Sequence, residues 1–248
     1  DIVETEAGYS RDAWKTAAEI GWLGMAIPEQ YGGSGSSVTD IAVVYEALGY
    51  GPVPGPFFSS GVFSAYTLLA LGDEPQRSRY LPLIASGEAV FAMAITEPDW
   101  AWGVGGIHMS VERHGNSYGL NGTKLFVYDA ITADYLIVAV RTGEHATDIG
   151  FLIVDTKDPG VSIRRIEGFL TTECEVTFDN VEVPGDALLG GAAQAMAGFA
   201  TVLRHATPVL CAYKVGGAQA VYDMSVEYSR ERVQFGQPVG RFQHVQNH

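Results

Sequence analysis

The chain has 248 residues, 47% of them hydrophobic and 18% charged, with 15 Lys+Arg against 29 Asp+Glu for a formal net charge of −14. That size and apolar content can bury substantial cores in two or three domains. The acidic balance argues against nucleic acid, whose phosphates demand a basic footprint, and no apolar run approaches the roughly 18 residues of a membrane span.

From Ser10 to about Leu83 the pattern is helical. Trp14, Ala17, Ala18 and Ile20 to Leu23 supply an apolar stripe, and Asp40 to Gly49 and Gly61 to Leu71 read similarly. Gly and Pro punctuate this zone at Tyr31-Gly-Gly-Ser-Gly35 and Gly51-Pro-Val-Pro-Gly-Pro56. From about Val90 to Pro184 the signal becomes strand-like, with Tyr135 to Val140, Gly150 to Val154 and Val176 to Phe178 separated by turns such as Asn121-Gly122. From Ala192 to Arg232 a long helical pattern returns, interrupted by Pro208 and by Gly216-Gly217. Helices, then a β region, then helices predict an α+β arrangement with boundaries near residues 1–89, 90–187 and 188–248.

Charge follows the same division. Residues 1–187 carry 10 Lys+Arg against 26 Asp+Glu, a net of −16, whereas residues 188–248 carry 5 against 3, a net of +2. The opening Asp1-Ile-Val-Glu-Thr-Glu6 lacks the basic start of a signal peptide, and the expected setting is cytoplasmic. Cys174 and Cys211 are too few and too far apart for a disulfide scaffold or a zinc site, and both are expected as small buried or half-buried side chains.

Several common chemistries lack their motifs. No Gly-x-Gly-x-x-Gly follows a strand, and in Gly119-Leu-Asn-Gly-Thr-Lys124 Thr precedes Lys, so a hairpin turn fits better than a phosphate loop. His244 and His248 are two ligands at a chain end and make no metal site. No Gly-x-Ser-x-Gly elbow is present.

The segment from Tyr228 to Gln246 carries more. Arg232 brings a planar fork of donors to the end of a long helix, Gly236 permits a turn, Pro238 stands where a following helix would start, and Gln243 lies about one turn inside it. Such an arrangement suits an anionic phosphate. A plain helix-turn-helix corner with solvated arginines fits the same spacing.

These residues resemble the Arg-x-x-Phe-Gly-x-Pro-(x)4-Gln motif of the acyl-CoA dehydrogenase flavoproteins. Ala94-Ile95-Thr96-Glu97-Pro98 resembles that family's flavin-contact strand, and Leu120-Asn-Gly-Thr-Lys-Leu-Phe126, followed by Ala133-Asp134, resembles its Asn-Gly-x-Lys hairpin. Gly21 to Gly35 is similar to its N-terminal helix and loop, and Glu175 to Pro184 to the end of its β domain. The resemblance is collinear over nearly the whole chain. It implies an N-terminal helical domain, a middle β-barrel or sandwich-like domain, and the start of a C-terminal helical bundle.

The resemblance implies FAD as cofactor and an acyl-CoA thioester as substrate, with oxidation to the 2,3-enoyl-CoA and an electron-transfer flavoprotein or similar acceptor. Donors near the flavin pyrimidine edge stabilise the reduced ring, and Ile95 and Thr96 would stand there. Phe126 would lie against the flavin. Arg232, Phe235 and Gln243 would serve FAD bound mainly to a neighbouring subunit, which implies a homo- or hetero-oligomer.

Departures from the family pattern are equally specific. Where a small-residue run usually follows Glu97-Pro98, this chain has Asp99-Trp100-Ala101-Trp102, and the two indoles could line an acyl chamber or fill it. Tyr128 stands where many members place a small hydroxyl residue on the flavin, and Thr207 where many have arginine. The family's catalytic carboxylate falls beyond residue 248, so no catalytic residue is assigned, and Glu97 is expected to be structural. Two readings follow: an FAD-dependent dehydrogenase, or a noncatalytic partner subunit of a heteromeric one. A flavin oxidase or monooxygenase on the same scaffold is a third.

Overall fold

The computed structural model describes residues 8–99, 101, 103–145, 147–167, 173–190 and 192–247. They form two compact units, one of residues up to 37 with 54–206, the other of residues 38–53 with 207–248. No helix among the described residues is long and apolar enough to cross a membrane.

In the first unit, α1 (Arg11–Glu19) starts at Ser10, whose hydroxyl accepts from Ala13 N at 3.2 Å. It buries Trp14 and Ala17, and the Trp14 indole N–H donates to the Gly87 carbonyl at 3.1 Å. The expected apolar stripe does not continue as helix: the chain turns at Gly21, leaving Ile20 56% and Trp22 37% exposed while Leu23 is buried.

The helix expected over Gly61 to Leu71 is two pieces, a π turn (Ser59–Ser64) leading into α3 (Ala65–Leu71). Its serines explain the wider turn. Ser64 Oγ donates to the Ser59 carbonyl at 2.7 Å, and Ser60 Oγ accepts from Phe91 N at 3.1 Å. Side-chain bonds thus compete with the regular helical ladder. α4 (Glu74–Ala85) starts with a capping box between Asp73 and Gln76, and Gln76 Nε2 also donates to the carbonyls of Asp186 and Leu188.

Two four-stranded sheets complete the unit. One runs in the order β1 (Phe91–Ala94), β4 (Tyr135–Arg141), β5 (Ile149–Asp155), β8 (Leu188–Leu189), with β1 parallel to β4 and the other pairs antiparallel. The other runs β2 (Val111–His114), β3 (Ser117–Tyr128), β7 (Glu173–Pro184), β6 (Val161–Arg165), all antiparallel. Leu136 to Val140 and Ile149 to Val154 are buried without a break, so both faces of β4 and β5 are covered.

The expected turn at Asn121-Gly122 is not there. The β2–β3 turn is Gly115-Asn116, between the paired residues His114 and Ser117, and Asn121-Gly122 lies inside β3 at an irregularity in its pairing with β7. A Cβ on Gly122, where φ is +143°, would come 2.8 Å from Met109 Cε. Asn121 Oδ1 accepts from Asn180 N at 2.8 Å, so the amide supports a strand irregularity instead of a reversal.

The second unit contains α2 (Val38–Tyr50) and residues from 207 onward of α5 (Ala192–Glu231). α5 runs unbroken for 40 residues through Pro208, Gly216 and Gly217, which were expected to interrupt it. Pro208 and Arg204, the residue whose carbonyl loses its partner, both lie on an exposed part of the helix. The glycines let helices approach: a Cβ on Gly216 would collide with the Glu46 carbonyl and one on Gly49 with that of Tyr213. The Tyr50 hydroxyl donates to Asp223 Oδ2 at 3.0 Å across the same pair.

β9 (Val233–Gln234) and β10 (Gln237–Pro238) follow as a hairpin, then a 3-10 turn (Val239–Arg241) and α6 (Gln243–Gln246). Pro238 is therefore a hairpin residue, and Gln243 opens α6 instead of sitting a turn inside it. Cys174 is buried, but Cys211 is exposed, contrary to the expectation for it.

Candidate functional site

Beyond Ala94 the chain leaves β1 and runs beside β3. Leu125 N donates to the Thr96 carbonyl at 2.8 Å, and Lys124 Nζ donates to the Ile95 carbonyl at 3.1 Å and to Glu97 Oε1 at 2.7 Å. Glu97 also accepts from the backbone N–H of His108 and of Met109, each at 3.0 Å. Lys124 is fully buried and Glu97 is 7% exposed. Burial pulls the ammonium of Lys124 below its ordinary pKa, while the Glu97 carboxylate opposes that shift. Glu97 thus accepts from one buried cation and two backbone N–H groups.

The pairing of β3 with β7 shifts between Lys124 and Val127. Phe126 takes up that irregularity with φ +54°, and Asp129 has φ +62° just past the strand. A non-glycine residue in the left-handed region costs free energy, so the surrounding strands must impose it. The result turns Phe126 to 37% exposure at the same strand end where Tyr128 is 47% exposed. Phe126 follows Leu125, whose N–H holds the Thr96 carbonyl, so an exposed aromatic ring that a flat ring system could stack on stands one residue from that contact.

Tyr128 is tied to the neighbouring strand β7. Its hydroxyl donates to Glu173, its register partner on β7, and burial first, then Glu173, pushes the phenol up to about 12. Next to it, Asp129 Oδ2 lies 2.5 Å from Ser59 Oγ, and burial lifts Asp129 to about 6 against the opposing serine hydrogen bond. Residues 70 positions apart in sequence meet here.

Thr96 is half-buried, and neither its N–H nor its hydroxyl donates to any described residue. Both donors are left to solvent or a ligand, and the carbonyl edge of a flavin pyrimidine would accept from them. Thr96, just past β1, and Phe126 of β3 are the residues that would meet such a ring. Trp100 and Trp102 lie outside the described residues. Asp99, before them, has Oδ2 at 2.8 Å from His108 Nε2.

The remaining expected contacts belong to the second unit. Arg232 follows α5, with its N–H on the Tyr228 carbonyl and its own carbonyl accepting from Val239 N, both at 2.8 Å. Phe235 and Gly236 form the β9–β10 turn with φ +52° and +82°. Phe235 is 94% exposed and meets Phe242 edge-on at 6.3 Å between ring centres. Arg232 and Gln243 are also exposed, so this segment presents a guanidinium, an aromatic ring and an amide to solvent.

Lys124, Ser59, Asp129 and Glu173 are parts of this region that spacing did not single out for a role. For Lys124 a signal existed, its place in the Asn-Gly-x-Lys match. For Ser59 and Asp129 there was none, since their meeting depends on the packing of a π turn against a strand end.

The acyl-CoA dehydrogenase N-terminal domain model matches residues 1–88, the middle domain model residues 92–181 and the C-terminal domain model residues 191–248. A probable acyl-CoA dehydrogenase of Bacillus subtilis, YngJ, is 31% identical over 98% of this chain and 67% of its own length. The crystal structure of an acyl-CoA dehydrogenase from Geobacillus kaustophilus superposes with a TM-score of 0.86 at 27% identity, covering 96% of this chain and 65% of that one. A glutaryl-CoA dehydrogenase from Mycobacterium smegmatis in complex with FADH2 gives 0.84 at 25% identity, covering 96% and 62%. The chain spans 58 to 67% of the length of the curated relatives it matches.

Proposed function

We propose, starting from the fact that the chain belongs to the acyl-CoA dehydrogenase family, that its protein is an FAD-dependent dehydrogenase converting an acyl-CoA thioester to the 2,3-enoyl-CoA. The observation that carries the reading is Thr96, half-buried with two donors that no described residue accepts, beside the projecting ring of Phe126. FAD, when bound, would supply the acceptor for the hydride leaving the β carbon. Thr96 and the backbone at Ile95 would hold the pyrimidine edge, and Phe126 and Tyr128 would bound the ring. Arg232, with Phe235 and Gln243, would neutralise and seat the anionic part of FAD carried mainly by a neighbouring subunit, so the active form is an oligomer. Trp100 and Trp102 would line the acyl end.

None of these residues takes the α proton. Glu97 is the nearest carboxylate in sequence, but its oxygens already accept from Lys124 and from two backbone N–H groups. The base is assigned beyond residue 248 on the family resemblance. Electrons would pass to an electron-transfer flavoprotein or a similar acceptor, in the cytoplasm.

One observation favours a second reading. Tyr128 occupies a flavin-contact position with its hydroxyl given to Glu173, which suits a partner subunit that lends Arg232 to a neighbour without itself reducing flavin. The visible spectrum of the protein expressed from its full reading frame, before and after anaerobic addition of acyl-CoAs, separates the two. Flavin that bleaches with a thioester supports the dehydrogenase. Flavin absent, or never reduced, supports the partner subunit.

A further inference from the structure

The carbonyl that Lys124 holds and the N–H expected to face flavin belong to one peptide group. Lys124 Nζ lies 3.1 Å from Ile95 O, and resonance couples that oxygen to the N–H of Thr96 across a planar unit. A cation on the oxygen draws electron density away from nitrogen and strengthens the N–H as a donor, as in any polarised chain of hydrogen bonds. The next peptide is pinned by Leu125 N on the Thr96 carbonyl at 2.8 Å. Consecutive residues of β3 thus grip consecutive carbonyls, one through a charged side chain and one through the backbone. The Thr96 N–H sits between the two grips and has no acceptor among the described residues.

Stability alone is a weak reason for this pair. Buried ion pairs are commonly replaced by apolar side chains at little or no cost, because desolvation offsets the attraction. Lys124 at 0% exposure and Glu97 at 7% are deep enough for that offset to be large. What an apolar pair could not do is place a positive charge on the Ile95 carbonyl.

We infer that Lys124 is a positioning residue that orients and polarises the Ile95–Thr96 peptide, so that Thr96 favours the reduced, more electron-rich flavin over the oxidised one. Glu97 balances the buried charge and holds the ammonium at the carbonyl, and its bonds to His108 and Met109 keep it from following Lys124 elsewhere. The inference rests on the flavin reading of the preceding subsection and assigns Lys124 no contact with FAD.

The test compares the full protein with the double variant Lys124→Met/Glu97→Gln, which removes both charges and leaves no lone buried ion. Flavin content of the unaltered protein is measured first, then FAD affinity and flavin midpoint potential of both. The double variant is expected to keep its fold and bind oxidised FAD within about threefold. Its preference for reduced over oxidised flavin should fall roughly tenfold, a shift of about 30 mV to more negative potential for a two-electron couple. An unchanged potential in a folded variant reduces the pair to a structural tie and overturns the inference alone. An unaltered protein that binds no FAD overturns the flavin reading and the inference together.

Should the double variant not fold, Lys124→Gln/Glu97→Gln decides. It also removes both charges but keeps neutral hydrogen-bonding groups at both positions, so the potential should again move negative. A zero or positive shift overturns the inference.

Discussion

Ser59 and Asp129 hold one another at 2.5 Å, joining the first residue of a π turn to a left-handed residue just past the end of β3. The carboxyl sits at about 6 instead of the usual 3.8 because burial penalises its charge more than the serine hydroxyl rewards it. Below pH 6 the acid itself can donate to Ser59 Oγ, whose own proton then turns to the Pro56 carbonyl at 3.3 Å. The pair therefore has a satisfied arrangement in either protonation state, and they differ in charge.

This gives a pH dependence with a defined sign. The folded state binds the Asp129 proton more tightly than the unfolded chain, so the stabilisation is fully present below about pH 3.8 and is lost as pH rises through about 6. Asp129→Asn is neutral throughout and tolerates the left-handed backbone. It should flatten the fall in stability between pH 4 and 7 by an amount on the order of 2 kcal/mol, allowing for partial solvation. Denaturant unfolding at several pH values checks this, and parallel curves for the two proteins would refute it.

Tyr128 and Glu173 make a second testable pair. With the phenol pushed up to about 12, a spectrophotometric titration should show a late ionisation near that pH that is absent from Tyr128→Phe, while Tyr9, Tyr50, Tyr66 and Tyr80, also raised, persist in both proteins. If the hydroxyl serves Glu173, Tyr128→Phe should retain FAD as the unaltered protein does. A tenfold weaker FAD affinity would instead give the hydroxyl to the flavin.

Arg232 is exposed, so Arg232→Ala should change folding stability by no more than about 0.5 kcal/mol. FAD occupancy should nevertheless fall. Retained flavin in the variant would remove Arg232 from the cofactor site.

Gly49 and Gly216 answer to packing alone. Gly49→Ala would drive a methyl into the Tyr213 carbonyl, and the cost should be roughly 1–3 kcal/mol, with the helices of the second unit forced apart. Thermal unfolding within error of the unaltered protein would contradict the close approach of α2 and α5.

For Trp100 and Trp102, alanine should shift acyl chain-length preference more than stability if the indoles line the substrate. A stability loss of roughly 3–5 kcal/mol with unchanged preference would make them core residues.

Much of this protein was written locally. The collinear motifs identify the family, and the unbroken apolar runs of β4 and β5 announce strands covered on both faces, because burial on a pleated strand is read directly from side-chain type. The order of helical and β regions follows for the same reason. What sequence could not decide depends on partners far along the chain. Asn121-Gly122 has the composition of a turn, yet it lies inside β3 because β7 supplies the opposite edge and Asn180 N its hydrogen bond. Phe126 adopts a positive φ that no local preference favours, because the irregularity against β7 requires it. Lys124 is legible in sequence only as a member of the Asn-Gly-x-Lys match, and only the fold brings the Ile95 carbonyl and Glu97 to it, 29 and 27 residues away. Helix and strand propensity are properties of neighbours in sequence, whereas charge burial and strand irregularity are settled by neighbours in space.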